Sequence, residues 1–256
     1  MKLHAGGMTA TDQSNVALVT GGSRGLGYAL TAALVNQGWH VVVDARDPAR
    51  LESAVRRLDG PGSVTPVAGD VVDPDHRREL AAAVSAVGGL DLLVNNASIL
   101  GPSPQPRLAD YPLDVLADVY ATNIIAPVAL VQLVLPLLER RGGAIVNITS
   151  DAAVEPYAGW GGYGSSKAAL DQITKILGAE HPSLRVYSFD PGDMNTEMQQ
   201  AAFPDEDVSD RAAPESVVPA LLRLMDERPP SGGYRAADLA TTQTAGERSA
   251  ERLVTG

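Results

Sequence analysis

The chain has 256 residues, 45% hydrophobic and 20% charged, with a formal net charge of −11 and no cysteine. That length and apolar content suffice for one substantial core, and the missing cysteines exclude disulfides, thiolate zinc sites and thiol catalysis while leaving the redox compartment open. The acidic balance argues against nucleic acid and anionic membrane surfaces as partners.

Residues 1–13 carry one lysine and no apolar run, so they do not read as a signal peptide. They read as a disordered extension, with Met8 a candidate natural start, and a cytoplasmic location is expected. Val16-Ala17-Leu18-Val19-Thr20 then reads as a short buried strand. The cluster Gly21-Gly22-Ser23-Arg24-Gly25-Leu26-Gly27 reads as a turn, and a helical pattern follows through Val35. Further strands are expected at 39–43, 63–68, 90–95, 144–149, 184–189 and, briefly, 233–237. Helices are expected at 25–36, 48–58, 75–87, 112–139, 162–179 and 214–226. The apolar stretch Ile124 to Leu138 is interrupted by Pro127, Gln132 and Pro136 and is too short to span a bilayer, so it reads as a buried helix and no membrane is expected. From Ala240 onward both periods are lost, and this tail is expected to be mobile. Strands alternating with helices predict an α/β fold: a doubly wound parallel sheet of about seven strands with helices on both faces, the Rossmann fold, in one domain over residues 14–239.

Two constellations carry chemistry. Strand, glycine turn and helix in succession is the context in which a glycine cluster cradles a pyrophosphate. The glycines let the backbone turn tightly and approach closely, and the helix N-terminus offers N–H groups and positive potential. The second is Tyr163 followed four residues on by Lys167, with Ser150 thirteen residues upstream at the end of the strand Ala144 to Thr149. A free phenol has a pKa of about 10, and a neighbouring ammonium favours its ionised form, bringing it towards the working range of an acid–base catalyst. On a helix, positions i and i+4 share a face, so Tyr163 and Lys167 point into one site.

Together these residues resemble the short-chain dehydrogenase/reductase family, from about Val16 to Asp238. Thr20, Gly21, Gly25 and Gly27 fit the family's Thr-Gly-x-x-x-Gly-x-Gly turn, with Ser23, Arg24 and Leu26 inside it. Asp70-Val71 fits the acidic–apolar pair at the adenine, and Asn95-Asn96-Ala97 fits the Asn-Asn-Ala-Gly element. Asn123, Ser150, Tyr163 and Lys167 fall where the family keeps its catalytic tetrad, and Pro191-Gly192 with Thr196 fits its nicotinamide-side segment. Two departures stand out. Ser98 replaces the last glycine of Asn-Asn-Ala-Gly, a small hydroxyl that should be tolerated. The C-terminus reads Gly232-Gly233-Tyr234-Arg235-Ala236-Ala237-Asp238 in place of Asp-Gly-Gly, which leaves the family's tetramer contact open.

The resemblance implies hydride transfer between a nicotinamide and a carbonyl carbon. Tyr163 would give the proton, Ser150 would hydrogen-bond the carbonyl oxygen, and Lys167 would tune Tyr163 and bind the nicotinamide ribose. Asn123 would bend its helix and hold a water linking Lys167 to solvent. No metal is implied. Only three of the twenty basic residues are lysines (Lys2, Lys167, Lys175), so an arginine-biased chain keeps a compact ammonium at 167.

Cofactor choice turns on Val43-Asp44-Ala45-Arg46, where an acid would hold the ribose hydroxyls of NAD and an arginine the extra phosphate of NADP. The family's acid position falls on Ala45 and a base on Arg46, with Arg24 facing the same phosphate. NADP(H) is therefore expected over NAD(H), a preference that Asp44 would reverse by shifting inward one residue.

Candidate pocket residues are Ala152, Ala153, Val154, Tyr157, Trp160, Met194, Met198 and Phe203, a set that fits a small apolar or aromatic ketone. The short segment from Met198 to Pro214 carries Asp205, Glu206, Asp207 and Asp210 and disfavours large anionic substrates. A 3-oxoacyl-carrier-protein-type ketoreductase is the second reading, against which the acidity weighs lightly. A non-catalytic NADP(H)-sensing regulator is a third, and it would be expected to lose part of a tetrad that is complete here. The helices near 112–139 and 162–179 carry more apolar surface than one sheet face can cover, and the resemblance implies that they pair across a twofold axis, hence a homodimer or homotetramer.

Overall fold

The computed structural model describes residues 14–239, so the expectations for 1–13 and 240–256 fall outside the described residues. Its strands are β1 (Val16–Val19), β2 (His40–Ala45), β3 (Ser63–Ala68), β4 (Leu92–Asn95), β5 (Ala144–Ile148), β6 (Arg185–Asp190) and β7 (Gly232–Arg235). All pair in parallel in one sheet of order β3-β2-β1-β4-β5-β6-β7. The order reverses between β1 and β4, and the carboxyl ends of the strands there define the crevice where such sheets bind ligands.

The helices are α1 (Gly25–Asn36), α2 (Pro48–Val55), α3 (Pro74–Ala86), α4 (Leu113–Tyr120), α5 (Ala126–Arg141), α6 (Gly161–Glu180), α7 (Glu197–Ala202) and α8 (Pro214–Glu227). Alternation within β1 divides the core. Ala17 and Val19 face Leu30, Leu34, Leu221 and Leu224 of α1 and α8, while Val16 and Leu18 face Leu80, Val84, Leu130 and Val134 of α3 and α5. A strand buried on both faces has to be apolar throughout, which is why β1 reads as an unbroken hydrophobic run. Starts are chemically marked. Asp47 accepts N–H bonds from Ala49 and Arg50 ahead of Pro48, and Asp73 accepts one from Asp75 ahead of Pro74.

Three differences from the sequence expectations matter. Helix 48–58 ends at Val55. Helix 112–139 is interrupted by a π-helical turn over Ala121–Ile125, with Asn123 at its centre. The segment after Pro191 contains α7, a short helix with no long apolar period, capped by Thr196, whose Oγ1 accepts the Gln199 N–H at 3.1 Å. The apolar stretch is also longer than the Ile124–Leu138 reading allowed. The continuous run Leu113–Arg141 is, by length and composition alone, long and apolar enough to cross a membrane, but 56% of its most apolar window is buried inside the domain, as a core helix's is.

Candidate active site

The glycine turn after β1 is fixed from both sides. Gly21 and Gly25 adopt φ of +68° and +54°, a region glycine enters without a Cβ penalty. The Gly21 N–H donates to Asp44 Oδ1 at 2.6 Å, while Asn96 Nδ2 donates to the carbonyls of Thr20 and Gly21 at 2.8 and 3.1 Å. Thr20 Oγ1 accepts the N–H groups of Asn96 and Ala97, each at 3.0 Å. A Cβ on Gly27 would sit 2.5 Å from both Asn96 Nδ2 and the Gly21 carbonyl oxygen, so only glycine lets α1 start this close to β4. The motif residues Thr20 and Gly27 therefore build the cradle from behind, and Ser23, Arg24, Gly25 and Leu26 line it.

At the end of β2, Asp44 points inward and is 1% exposed. Its second oxygen lies 3.0 Å from His76 Nε2, in the first turn of α3. Burial pushes the Asp44 carboxyl up, with His76 and the Gly21 N–H opposing. Both oxygens are thus engaged inside the fold, while Arg46 stays exposed at the rim. Arg24 is not alone there: burial first, then the charges of Arg50 and Arg46, lower its guanidinium pKa, so three arginines share one end of the cleft. Glu197 of α7 pairs with Arg24 and, at 3.2 Å, with Arg50. Sequence reasoning missed Arg50 and His76. The signal for Arg50 was its place in the first turn of a helix opened by Asp47-Pro48, beside the cleft; His76 had none, since its partner is 32 residues away. On the adenine side Asp70 Oδ1 accepts the Val72 N–H at 2.9 Å, and buried Arg77 holds the Val71 and Val72 carbonyls at 2.6 and 2.8 Å.

The candidate catalytic residues meet between β5 and α6. Tyr163 and Lys167 are 8% and 2% exposed, and Ser150 lies two residues past β5, capping the turn Asp151–Ala153. Ser150 Oγ donates to Asp151 Oδ1 at 2.9 Å and accepts the Ala152 N–H at 3.2 Å; the Tyr157 hydroxyl donates to the other Asp151 oxygen at 2.9 Å. Lys167 Nζ donates to the Ile148 carbonyl at 2.8 Å and lies 5.4 Å from the centre of the Tyr163 ring. The expectation that Lys167 lowers the Tyr163 phenol is corrected. Burial, with the charges of Asp190 and Asp151, pushes the phenol well above its ordinary value, and the Ser98 hydroxyl offsets this only in part. Burial also brings the Lys167 ammonium down to about 8. The Lys167 ammonium lies over the ring and donates to the Ile148 carbonyl, and burial of the phenol outweighs it.

Asn123 is 1% exposed and lies behind the cleft wall. Its Oδ1 accepts from the Ile99 N–H at 2.9 Å and the Ser98 hydroxyl at 3.1 Å, and its Nδ2 donates to the Ile99 carbonyl and Ser166 Oγ, each at 3.0 Å. The side chain is fully committed within the protein, tying the π-helical turn to the loop after β4 and to α6.

One open cleft of about 920 Å³ joins these parts, running from Arg46 and Asp70 past Asn96, Ala97, Tyr163 and Lys167 to Pro191, Gly192 and Thr196. Of the expected pocket residues, Tyr157, Trp160, Met194, Met198 and Phe203 line it. Trp160 packs edge-on against Tyr157 and Tyr163 and tilted against Phe203, at 5.7–6.0 Å between ring centres. Ala152, which is buried against Tyr163 and Leu100, Ala153 and the 76% exposed Val154 do not line it.

A family model described as short chain dehydrogenase matches residues 15–207. The chain belongs to the short-chain dehydrogenase family. The dehydrogenase/reductase SDR family member 4 of Pongo abelii is 34% identical over 217 residues, covering 81% of this chain and 76% of its own. A short chain dehydrogenase structure from Pseudomonas syringae superposes with a TM-score of 0.82 at 32% identity, covering 88% of this chain and 95% of that one. A Shigella flexneri 2a short chain dehydrogenase complexed with NADP gives a TM-score of 0.80 at 27% identity, covering 89% and 100%. This short-chain dehydrogenase is accordingly an oxidoreductase acting on a small molecule.

Proposed function

We propose that this oxidoreductase moves a hydride between NADP(H) and a carbonyl or secondary alcohol, and that it reduces small apolar or aromatic ketones. The observation that carries the cofactor choice is Asp44, whose two oxygens are consumed by Gly21 and His76, leaving a 2′-phosphate to be met by Arg46 together with Arg24 and Arg50, which share Glu197. The NADP bound by the Shigella flexneri relative agrees with it.

Bound NADPH would supply the hydride. The N–H groups at the start of α1 and the glycine turn would hold its pyrophosphate, Asp70 and Val71 its adenine, and Lys167 its nicotinamide ribose. Pro191, Gly192 and Thr196 would flank the nicotinamide. Tyr163 is the proton donor: its raised pKa keeps the phenol protonated through the neutral range, the form that reduction needs. Ser150, once its proton turns from Asp151 to the substrate, stabilises the developing charge on the carbonyl oxygen. Asn123 acts by tying the π-helical turn to the loop after β4 and to Ser166 of α6. Trp160, Phe203 and Met198 form the apolar wall for the substrate body.

Exposed apolar surface on the helices supports a homodimer. Leu113, Ile125, Leu133 and Ile176, on α4, the π turn, α5 and α6, remain 40–77% exposed, as an isologous helix-to-helix contact requires. Light scattering at micromolar concentration should give at least twice the chain mass, and a monomer would refute it. The function is tested by following NADPH consumption against a panel of ketones and aldehydes. Turnover of small aromatic or apolar ketones is expected. Stoichiometric NADPH binding with no turnover on any panel member would favour a nucleotide-sensing role.

A further inference from the structure

α3 reaches the glycine turn through a buried pair that no motif of the sequence contains. His76 and Asp44 are 4% and 1% exposed, on α3 and β2, and their side chains meet at 3.0 Å. Asp44 passes this contact on, since its other oxygen receives the Gly21 N–H at 2.6 Å. The neighbouring peptide is held by the same residue, the Gly22 N–H donating to the Asp44 backbone carbonyl at 2.9 Å. Among the described residues His76 Nδ1 is buried with no hydrogen-bond partner, and the Glu79 carboxylate lies 4.0 Å away, on the exposed side of α3. A Cβ on Gly69 would lie 2.2 Å from that nitrogen, so the ring packs directly on the backbone just past the end of β3. Of the two ring nitrogens it is Nε2 that is hydrogen-bonded, to Asp44.

We propose that His76 and Asp44 form a positioning pair that holds the Gly21 turn in the shape that receives a dinucleotide pyrophosphate. The proposal rests on the reading of the cleft as a dinucleotide site. Gly21 has a left-handed backbone with its N–H held by Asp44 and its carbonyl by Asn96, so its peptide planes are set by two side chains from opposite strands. Asn96 belongs to the Asn-Asn-Ala-Gly element, whereas His76 belongs to none of the matched elements. Without His76, Asp44 would be a buried carboxylate short of a partner, and it would recover hydrogen bonds by moving towards water, taking the Gly21 N–H with it. The turn N–H groups would then no longer converge on the phosphates. The damage should fall on any ligand that carries the pyrophosphate bridge and should spare one that carries only the adenosine and its 2′-phosphate, because Arg46 and Arg50 do not depend on the pair.

The test is fluorescence or calorimetric titration of the full-length chain with NADPH, NADH and adenosine 2′-monophosphate, with thermal melting to establish folding. His76→Ala is expected to weaken NADPH and NADH alike by about tenfold, the equivalent of one charge-assisted hydrogen bond, and to leave adenosine 2′-monophosphate within about twofold. His76→Gln, whose amide can still donate to Asp44, is expected to recover most of the loss. Asp44→Asn keeps an oxygen for Gly21 but loses the charge, and a loss of about threefold or more is expected; it carries the test if His76→Ala does not fold. A folded His76→Ala with wild-type affinity for both dinucleotides would overturn the proposal, as would equal weakening of all three ligands. If the wild-type chain binds neither dinucleotide, the reading of the cleft itself fails.

Discussion

The two ends of the cleft are built on different principles. At the adenosine end the backbone is pinned: Gly21 is held from β2 by Asp44 and from β4 by Asn96, and three arginines concentrate positive charge at the rim. At the far end the lining is side chain rather than backbone. Trp160, Tyr157 and Phe203 pack ring to ring, Asp151, Asp190 and Asp193 supply negative charge, and the wall includes the short helix α7. A fixed backbone cradle suits a ligand whose phosphates do not change, whereas an aromatic wall on a loop and a six-residue helix can be rebuilt without disturbing the sheet. Glu197 joins the two ends, since it starts α7 and pairs with Arg24 and Arg50 across the cleft.

The sharpest way to break this division is at the chemistry between the two ends. Tyr163→Phe keeps the ring and α6 but removes the proton donor, so turnover should fall by about 10²–10⁴-fold with NADPH affinity unchanged, measured by steady-state kinetics and titration. Lys167→Ala should cost a similar factor and weaken NADPH as well, because the ammonium serves both ribose and reaction. With its pKa brought down to about 8, Lys167 is charged below that pH and neutral above it. NADPH affinity should therefore fall as pH rises through about 8, and Lys167→Arg, which stays charged, should abolish that limb. An unaltered pH profile in Lys167→Arg would detach the limb from this residue. Ser150→Ala should lower turnover by about 10²-fold with little change in NADPH affinity, since its hydroxyl acts on the developing oxyanion.

How much of this was legible in the sequence follows the same division. β1, the glycine turn and α1 could be read directly, because a strand buried on both faces must be continuously apolar and a turn this close to β4 must be glycine at Gly27. The relation of Tyr163 to Lys167 was legible as a helical spacing, but its electrostatics were not. The sequence put a cation beside a phenol, and only the fold shows that both are buried and that Lys167 turns to Ile148. The direction of Asp44 was likewise undecidable along the chain, since a one-residue change of register reverses which face a strand residue serves. His76 settles it from a helix start far along the sequence. The π turn at Asn123 and the helix α7 left no periodic signal, one being a single extra residue in a helix and the other too short to show a repeat.

The most direct measurement of the central claim is a paired titration of the wild-type chain and Arg46→Ala with NADPH and NADH. If the arginine end receives a 2′-phosphate, the wild-type chain binds NADPH at least about tenfold more tightly than NADH, and Arg46→Ala loses most of that difference while leaving NADH nearly unchanged. NADH binding as tight as NADPH in the wild-type chain, or an Arg46→Ala variant that keeps the full preference, would contradict the account.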